Sequence, residues 1–202
     1  MRQVVYLLPL IVAGCASQPS SLVPLTGDGE TVLTDRVVGE WHLNSAKPKT
    51  TRRPTISFGS LDGVVATISS ESGSRFTMTV RREDAAISFT CTLIKIGDSL
   101  YVDLQHPRIR DAAIAGTTLR PHFFTLCTFV DQQIRLTACD SSRFRQVLEA
   151  DGLPFVDSDN QLVFTGTSEQ LQHVIREHSA ELFRTGTGDL ILTSQRPSES
   201  DN

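Results

Sequence analysis

No stretch of this sequence is both apolar and long enough to cross a bilayer as a helix. The apolar run from Val4 to Val12 is about ten residues, against the roughly 20 that a spanning helix needs. A basic excess is missing as well: 19 Lys and Arg stand against 23 Asp and Glu, a net charge of -4. Phosphate binding needs a clustered basic footprint, so nucleic acid is excluded as an expected partner. Arg52-Arg53 and Arg81-Arg82 are the only basic doublets, and they read as solvated strand ends. The familiar catalytic signatures are absent too. There is no His-Glu-x-x-His, no Gly-x-Ser-x-Gly elbow and no glycine-rich phosphate loop. His173 and the pair Glu177-His178 come nearest, at the wrong spacing for a two-histidine face. No cofactor or metal is therefore expected. No long-period repeat is visible.

What is present begins at the N-terminus. One early base, Arg2, precedes the short apolar run, and the small residues Ala13-Gly14 then lead into Cys15. A charged start, a short apolar core and small residues before a cut site make a secretory signal. Val12-Ala13-Gly14-Cys15 resembles the lipobox of bacterial lipoproteins. That resemblance implies cleavage between Gly14 and Cys15, a diacylglycerol on the Cys15 sulfur and acylation of the new amine. Each buried methylene contributes about 0.8 kcal/mol; one chain holds marginally, whereas two or three anchor firmly. Ala16 stands where an Asp commonly marks inner-membrane retention in such lipoproteins. The expected address is thus the bacterial envelope, at the outer membrane and facing the periplasm.

Cleavage leaves about 188 residues, the size of one domain. Three cysteines then remain besides Cys15: Cys91, Cys127 and Cys139. An odd count permits at most one bridge among them, and the exported compartment allows one. Which pair, or whether any pair, is left open. Residues 15–34, rich in Ser, Pro, Gly and Thr, read as the lipidated N-terminus and a tether, although Leu22, Val23, Leu25, Val32 and Leu33 can dock part of it. Residues 35–193 form the expected domain, and 194–202 a polar tail.

From about 37 to 138 the pattern has period two. Val64-Ala66-Ile68, Phe76-Met78-Val80 and Ile87-Phe89-Cys91-Leu93 each alternate with polar neighbours, and Asp62-Gly63, Ser72-Gly73, Glu83-Asp84, Gly97-Asp98 and Asp131-Gln132 separate the runs. Half-buried antiparallel strands look like this, and seven or eight of them suggest a sandwich or an up-and-down barrel. Two helices follow. Phe144, Val147 and Leu148 share a face behind a cap at Asp140 or Ser141, with Gly152 and Pro154 as the stop. Thr167 and Gln170 make a capping box before the stripe Leu171, Val174, Ile175 and Leu182. Leu162-Val163-Phe164 and Leu190-Ile191-Leu192 read as short strands. The fold class is mainly β (β-rich α+β), an antiparallel barrel of about eight strands with two C-terminal helices.

Gly39-Glu40-Trp41 at the first strand resembles the Gly-x-Trp start of lipocalin-like barrels, in which the Trp packs across the closed end. With Pro121-His122-Phe123, Leu171-Gln172, His178 and Phe183, the chain from 35 to 185 is similar to a group of lipocalin-like bacterial lipoproteins. The resemblance implies a module that binds a small apolar ligand or an envelope protein, and not an enzyme. The alternative is an envelope hydrolase or redox enzyme whose site sequence does not reveal. Candidate pocket or barrel-end residues are Trp41, His122 and His178. His178 lies on the stripe of its helix, where it reads either as a satisfied histidine tying helix to barrel or as converging with His122 on a pocket at the barrel mouth. Cys91 falls on an apolar strand face and reads as a small core residue. The run from Pro107 to Arg120 reads as a lid, a docking segment or a covering turn.

Overall fold

The computed structural model of the protein describes residues 18–25, 34–45, 61, 63–83, 85–108, 121–158, 161–184 and 189–194. Eight antiparallel strands close a barrel. In chain order its staves are β2 (Gly39–Ser45), β3 (Val65–Ser72), β4 (Arg75–Arg82), β5 (Ala85–Ile96), β6 (Ser99–Arg108), β7 (His122–Val130), β8 (Gln133–Ala138) and β11 (Leu190–Ser194). Each of the first seven pairs with the next, and β11 closes the circle between β8 and β2. The 37–138 region thus supplies seven staves. The eighth comes from the C-terminal end, so the two helices are inserted before the closing strand and do not trail behind it.

Tight turns set the strand registers. Gly73, Glu83, Gly97 and Asp131, with φ between 52° and 57°, turn the β3–β4, β4–β5, β5–β6 and β7–β8 hairpins. Glycine bears this conformation freely, whereas Glu83 and Asp131 adopt it against a steric cost.

Period two then places the core. Val64, Ala66, Ile68, Phe76, Met78, Val80, Ile87, Phe89, Cys91 and Leu93, the apolar halves of the alternating runs, all point into the barrel. Val37, Trp41, Leu43, Val102, Cys127, Ile134, Leu136 and Leu192 complete this interior cluster.

A second core lies outside the barrel. Helix α1 (Ser141–Ala150) starts at Asp140, whose carboxylate accepts from the amides of Ser142 and Arg143 at 2.9 and 3.1 Å. Helix α2 (Ser168–Leu182) starts with the Thr167–Gln170 capping box, both halves formed. Their buried stripes, Phe144-Val147-Leu148 and Leu171-Val174-Ile175-Leu182, pack on the outward side chains Ile94, Ile96, Tyr101 and Phe124 of β5, β6 and β7. These staves are apolar on both faces because both faces are covered.

Three more short strands extend the sheet beyond β7. β1 (Ser20–Ser21) pairs antiparallel with β7 and parallel with β10 (Gln161–Phe164), and β9 (Phe155–Ser158) pairs with β10 at the edge. The tether reading therefore needs correcting over residues 18–25. Gln18, Ser20, Ser21 and Leu25 are buried, Ser20 and Ser21 completely. Ser20 and Ser21 find backbone partners on both sides in β7 and β10, which makes docking of so polar a segment possible. No helix among the described residues is long and apolar enough to cross a membrane.

Candidate functional site

The barrel has two unlike ends. At the lower one, Trp41 is buried, and its indole N–H donates to the carbonyl of Val37 at 2.8 Å. Gly39 is called for by its backbone and not by the space around it. Its φ of 147° is one that side-chain-bearing residues rarely adopt, and a Cβ there would stand 3.7 Å from the indole nitrogen. The Arg36 guanidinium stacks over the Phe129 ring, 4.4 Å from its centre, at the same end. Trp41 is thus a closing residue of the barrel.

The opposite end receives the upper ends of the staves. Leu61, Leu104 and Leu190 are partly buried against the interior cluster there. Thr125, on the inward-facing register of β7 with Cys127, is 7% exposed, and its hydroxyl has no hydrogen-bond partner among the described residues. A buried hydroxyl without a partner costs about 1–3 kcal/mol, so an acceptor or donor arriving in the barrel would find a use for it. Val102, paired directly with Thr125, keeps 3% of its surface, and Phe76, Phe89 and Leu93 at 2–4% are matched by Val64, Val80 and Ile87 at 3–5%, so side chains fill the barrel interior.

His122 does not face this interior. It lies on the outward register of β7, where its Nδ1 meets both carboxylate oxygens of Asp103 at 3.0 Å. Asp103 is 5% exposed and also accepts the amide of Leu25 at 3.0 Å. The pair therefore fastens the N-terminal segment to the barrel wall. Asp103 was missed by sequence reasoning because alternation on β6 sets it on the polar face, and alternation alone does not say what covers that face.

His178 is placed elsewhere again. It is about one-third exposed, hydrogen-bonded through Nδ1 to Glu181 at 2.5 Å and set 3.8 Å from Asp151 at the end of α1. With Asp151, Leu153, Glu169, Gln170, His173 and Glu177 it lines an open groove between the helices. Glu169, in the first turn of α2, is held below the usual carboxylate range by its own backbone N–H and the Thr167 hydroxyl. The expected convergence of His122 and His178 on a barrel-mouth pocket is corrected. One lies under the N-terminal segment and the other in the helix groove. The reading of His178 as a tie between helix and barrel is corrected as well. Ser179 makes that tie, its hydroxyl 2.8 Å from the Tyr101 hydroxyl. A helix advances 100° per residue, so a one-residue error in the facing position is enough to exchange these roles.

Cys91, Cys127 and Cys139 are buried and unbridged, the first two inside the barrel and the third in the helix core. Burial pushes all three thiols up from their ordinary value, that of Cys127 to about 12. They are inert packing groups. No group of three or more His, Cys, Asp or Glu able to hold a metal ion occurs among the described residues. Gly14 and Cys15, the expected cleavage and lipidation site, and residues 109–120 of the proposed lid all lie outside the described residues, as does the tail from 195. Comparison with protein-family models, with curated proteins and with solved structures gives no match to the chain.

Proposed function

We propose that the protein is a bacterial envelope lipoprotein, anchored through acylated Cys15, whose barrel binds a partner and does not transform it. The expected home is the outer membrane, on its periplasmic side. The observation that carries the binding reading is the barrel interior: a closed apolar lining into which one unpartnered hydroxyl, that of Thr125, is directed. Apolar walls with a single polar group are how small-molecule sites combine affinity with orientation. With the interior filled by side chains, such a ligand would be taken up at the end where the leucines 61, 104 and 190 are only partly buried. A small apolar molecule carrying one polar atom fits this chemistry. An apolar side chain of an envelope protein offered to the same end is the other occupant.

Native mass spectrometry of the protein purified from a bacterial periplasm tests the reading. A co-purifying apolar mass that is lost on denaturation, and weakened in Thr125→Val, is expected. A bare mass in repeated preparations would end the small-ligand version and leave a protein partner.

The enzyme alternative has one observation in its favour. His178 is accessible and hydrogen-bonded to a carboxylate, in a groove that also holds His173 and Asp151. Such a pair can relay a proton. Among the described residues, the groove's lining contains acids and bases but no Ser, Thr, Cys or Lys to act as nucleophile. A generic ester or phosphoester turnover that disappears in His178→Ala, with melting unchanged, would overturn the binding reading.

A further inference from the structure

We infer that the small sheet formed by β1, β10 and β9 is the face by which the domain rests on the phospholipid surface. The inference builds on the proposed acylation of Cys15 and adds how the anchored domain is oriented. If Cys15 carries the lipid, only Ala16 and Ser17 separate it from Gln18, the first buried residue of the domain. Three peptide steps reach at most about 11 Å, against a headgroup layer of about 5–8 Å on each side of the hydrocarbon core. The domain cannot swing on such a link. Whatever surrounds Gln18 must lie near the membrane plane.

The register shows what surrounds it. Ser20, two residues on, is paired with Val163, and Val163 with Val156, so the three form one row across β1, β10 and β9. Adjacent strands are about 4.8 Å apart, which sets Val156 about 10 Å from Ser20. The alternate row, containing Phe164, is buried under the helices together with Leu162. The Val163–Val156 row therefore turns away from the helices. Three large apolar side chains are exposed among the described residues: Leu22, Val130 and Val156. Val156, at 53%, lies in this sheet, and Leu22, at 38%, directly follows β1 with its amide bonded to the carbonyl of Phe164. Edge strand β9, whose outer side would invite pairing with another chain, would be covered by headgroups. The acyl chains supply the affinity, and Leu22 with Val156 add apolar contact at the interface.

The test uses the full lipidated protein in vesicles of phosphatidylethanolamine and phosphatidylglycerol. A nitroxide is attached at Val156→Cys or, separately, at Thr67→Cys. Thr67 is an exposed residue of β3, the stave opposite β7 in the barrel. Acylation is established first, from the mass of the N-terminal peptide and partition into detergent. The expected result is relaxation by a nickel-chelating lipid several-fold stronger at 156 than at 67. Equal relaxation on acylated protein overturns this inference and leaves the lipoprotein reading intact. An unacylated N-terminus overturns both. Spin–spin broadening between labels at 156 overturns it in favour of a second copy paired along β9.

Discussion

Replacing Asp103 with Ala removes the acceptor of the Leu25 amide and the partner of the His122 ring in one step. Leu25 is 3% exposed and the His122 side chain 13%, so the freed amide meets no water without local opening, while the ring keeps a little access. A buried amide left without an acceptor costs about 1–3 kcal/mol, and the lost histidine bond adds about 1 kcal/mol. The expected destabilisation is therefore about 2–4 kcal/mol. With a urea m-value of about 2 kcal/mol/M, the unfolding midpoint falls by about 1–2 M. A domain of this size has about 5–15 kcal/mol in all, so the barrel survives while residues 18–25 open locally. Hydrogen exchange at Val23 and Leu25 should accelerate well before exchange at Phe89 or Cys91. Asp103→Asn keeps one acceptor and should restore most of the loss. A cycle with His122→Ala should show a coupling of about 0.5–3 kcal/mol. A midpoint change worth less than about 0.5 kcal/mol in Asp103→Ala, with exchange at Leu25 unaltered, would refute the latch, since that is what a surface substitution gives.

Other expectations follow from the same geometry. Cys91, Cys127 and Cys139 should be silent to a thiol reagent at pH 8 in the folded protein and react once it is denatured; reaction without unfolding would show that their burial is misjudged. Their folded pKa values lie above the unfolded ones, so the folded state holds more protons at high pH. Stability should be flat below pH 9 and fall above it by up to about 1.4 kcal/mol per pH unit for each thiol, read by denaturant titration at pH 8, 9 and 10. Tyr101→Phe should lower stability by about 1 kcal/mol, because it leaves Ser179 alone at the helix seam, whereas His178→Ala should cost less. Gly97→Val should cost about 1–2 kcal/mol, since its φ of 57° suits glycine and nothing in the surrounding space compensates; an unchanged melting temperature would contradict that reading.

The barrel and its contents were legible in the residues themselves. Alternation in 76–80 and 87–93 assigns an inner face to each strand, because successive side chains point to opposite sides whatever lies around them. The same locality made both helix starts readable: Asp140 and Thr167 serve amides two or three residues away. Glycine positions at the hairpins and Gly39 before Trp41 likewise express backbone conformations that no distant partner has to supply. Double-sided burial of β5 also left a trace, in the unbroken apolar pair Leu93-Ile94 and again at Ile96.

What only the tertiary structure decided are the meetings of residues far apart in the chain. The eighth stave is β11, brought back between β8 and β2 after two helices, and a strand with only three apolar residues cannot announce its neighbours. Ser20 and Ser21 carry no strand signal; they become β1 because β7 and β10 leave a gap of the right width and unpaired backbone on each side. Asp103 reads as a solvent-facing residue until the chain 78 positions earlier is laid over it. Periodicity is a property of neighbours along the chain and reports a face. The covering of that face depends on loop closure and packing among distant segments, and those contacts turn an outward aspartate into a latch and a polar N-terminal segment into part of the sheet.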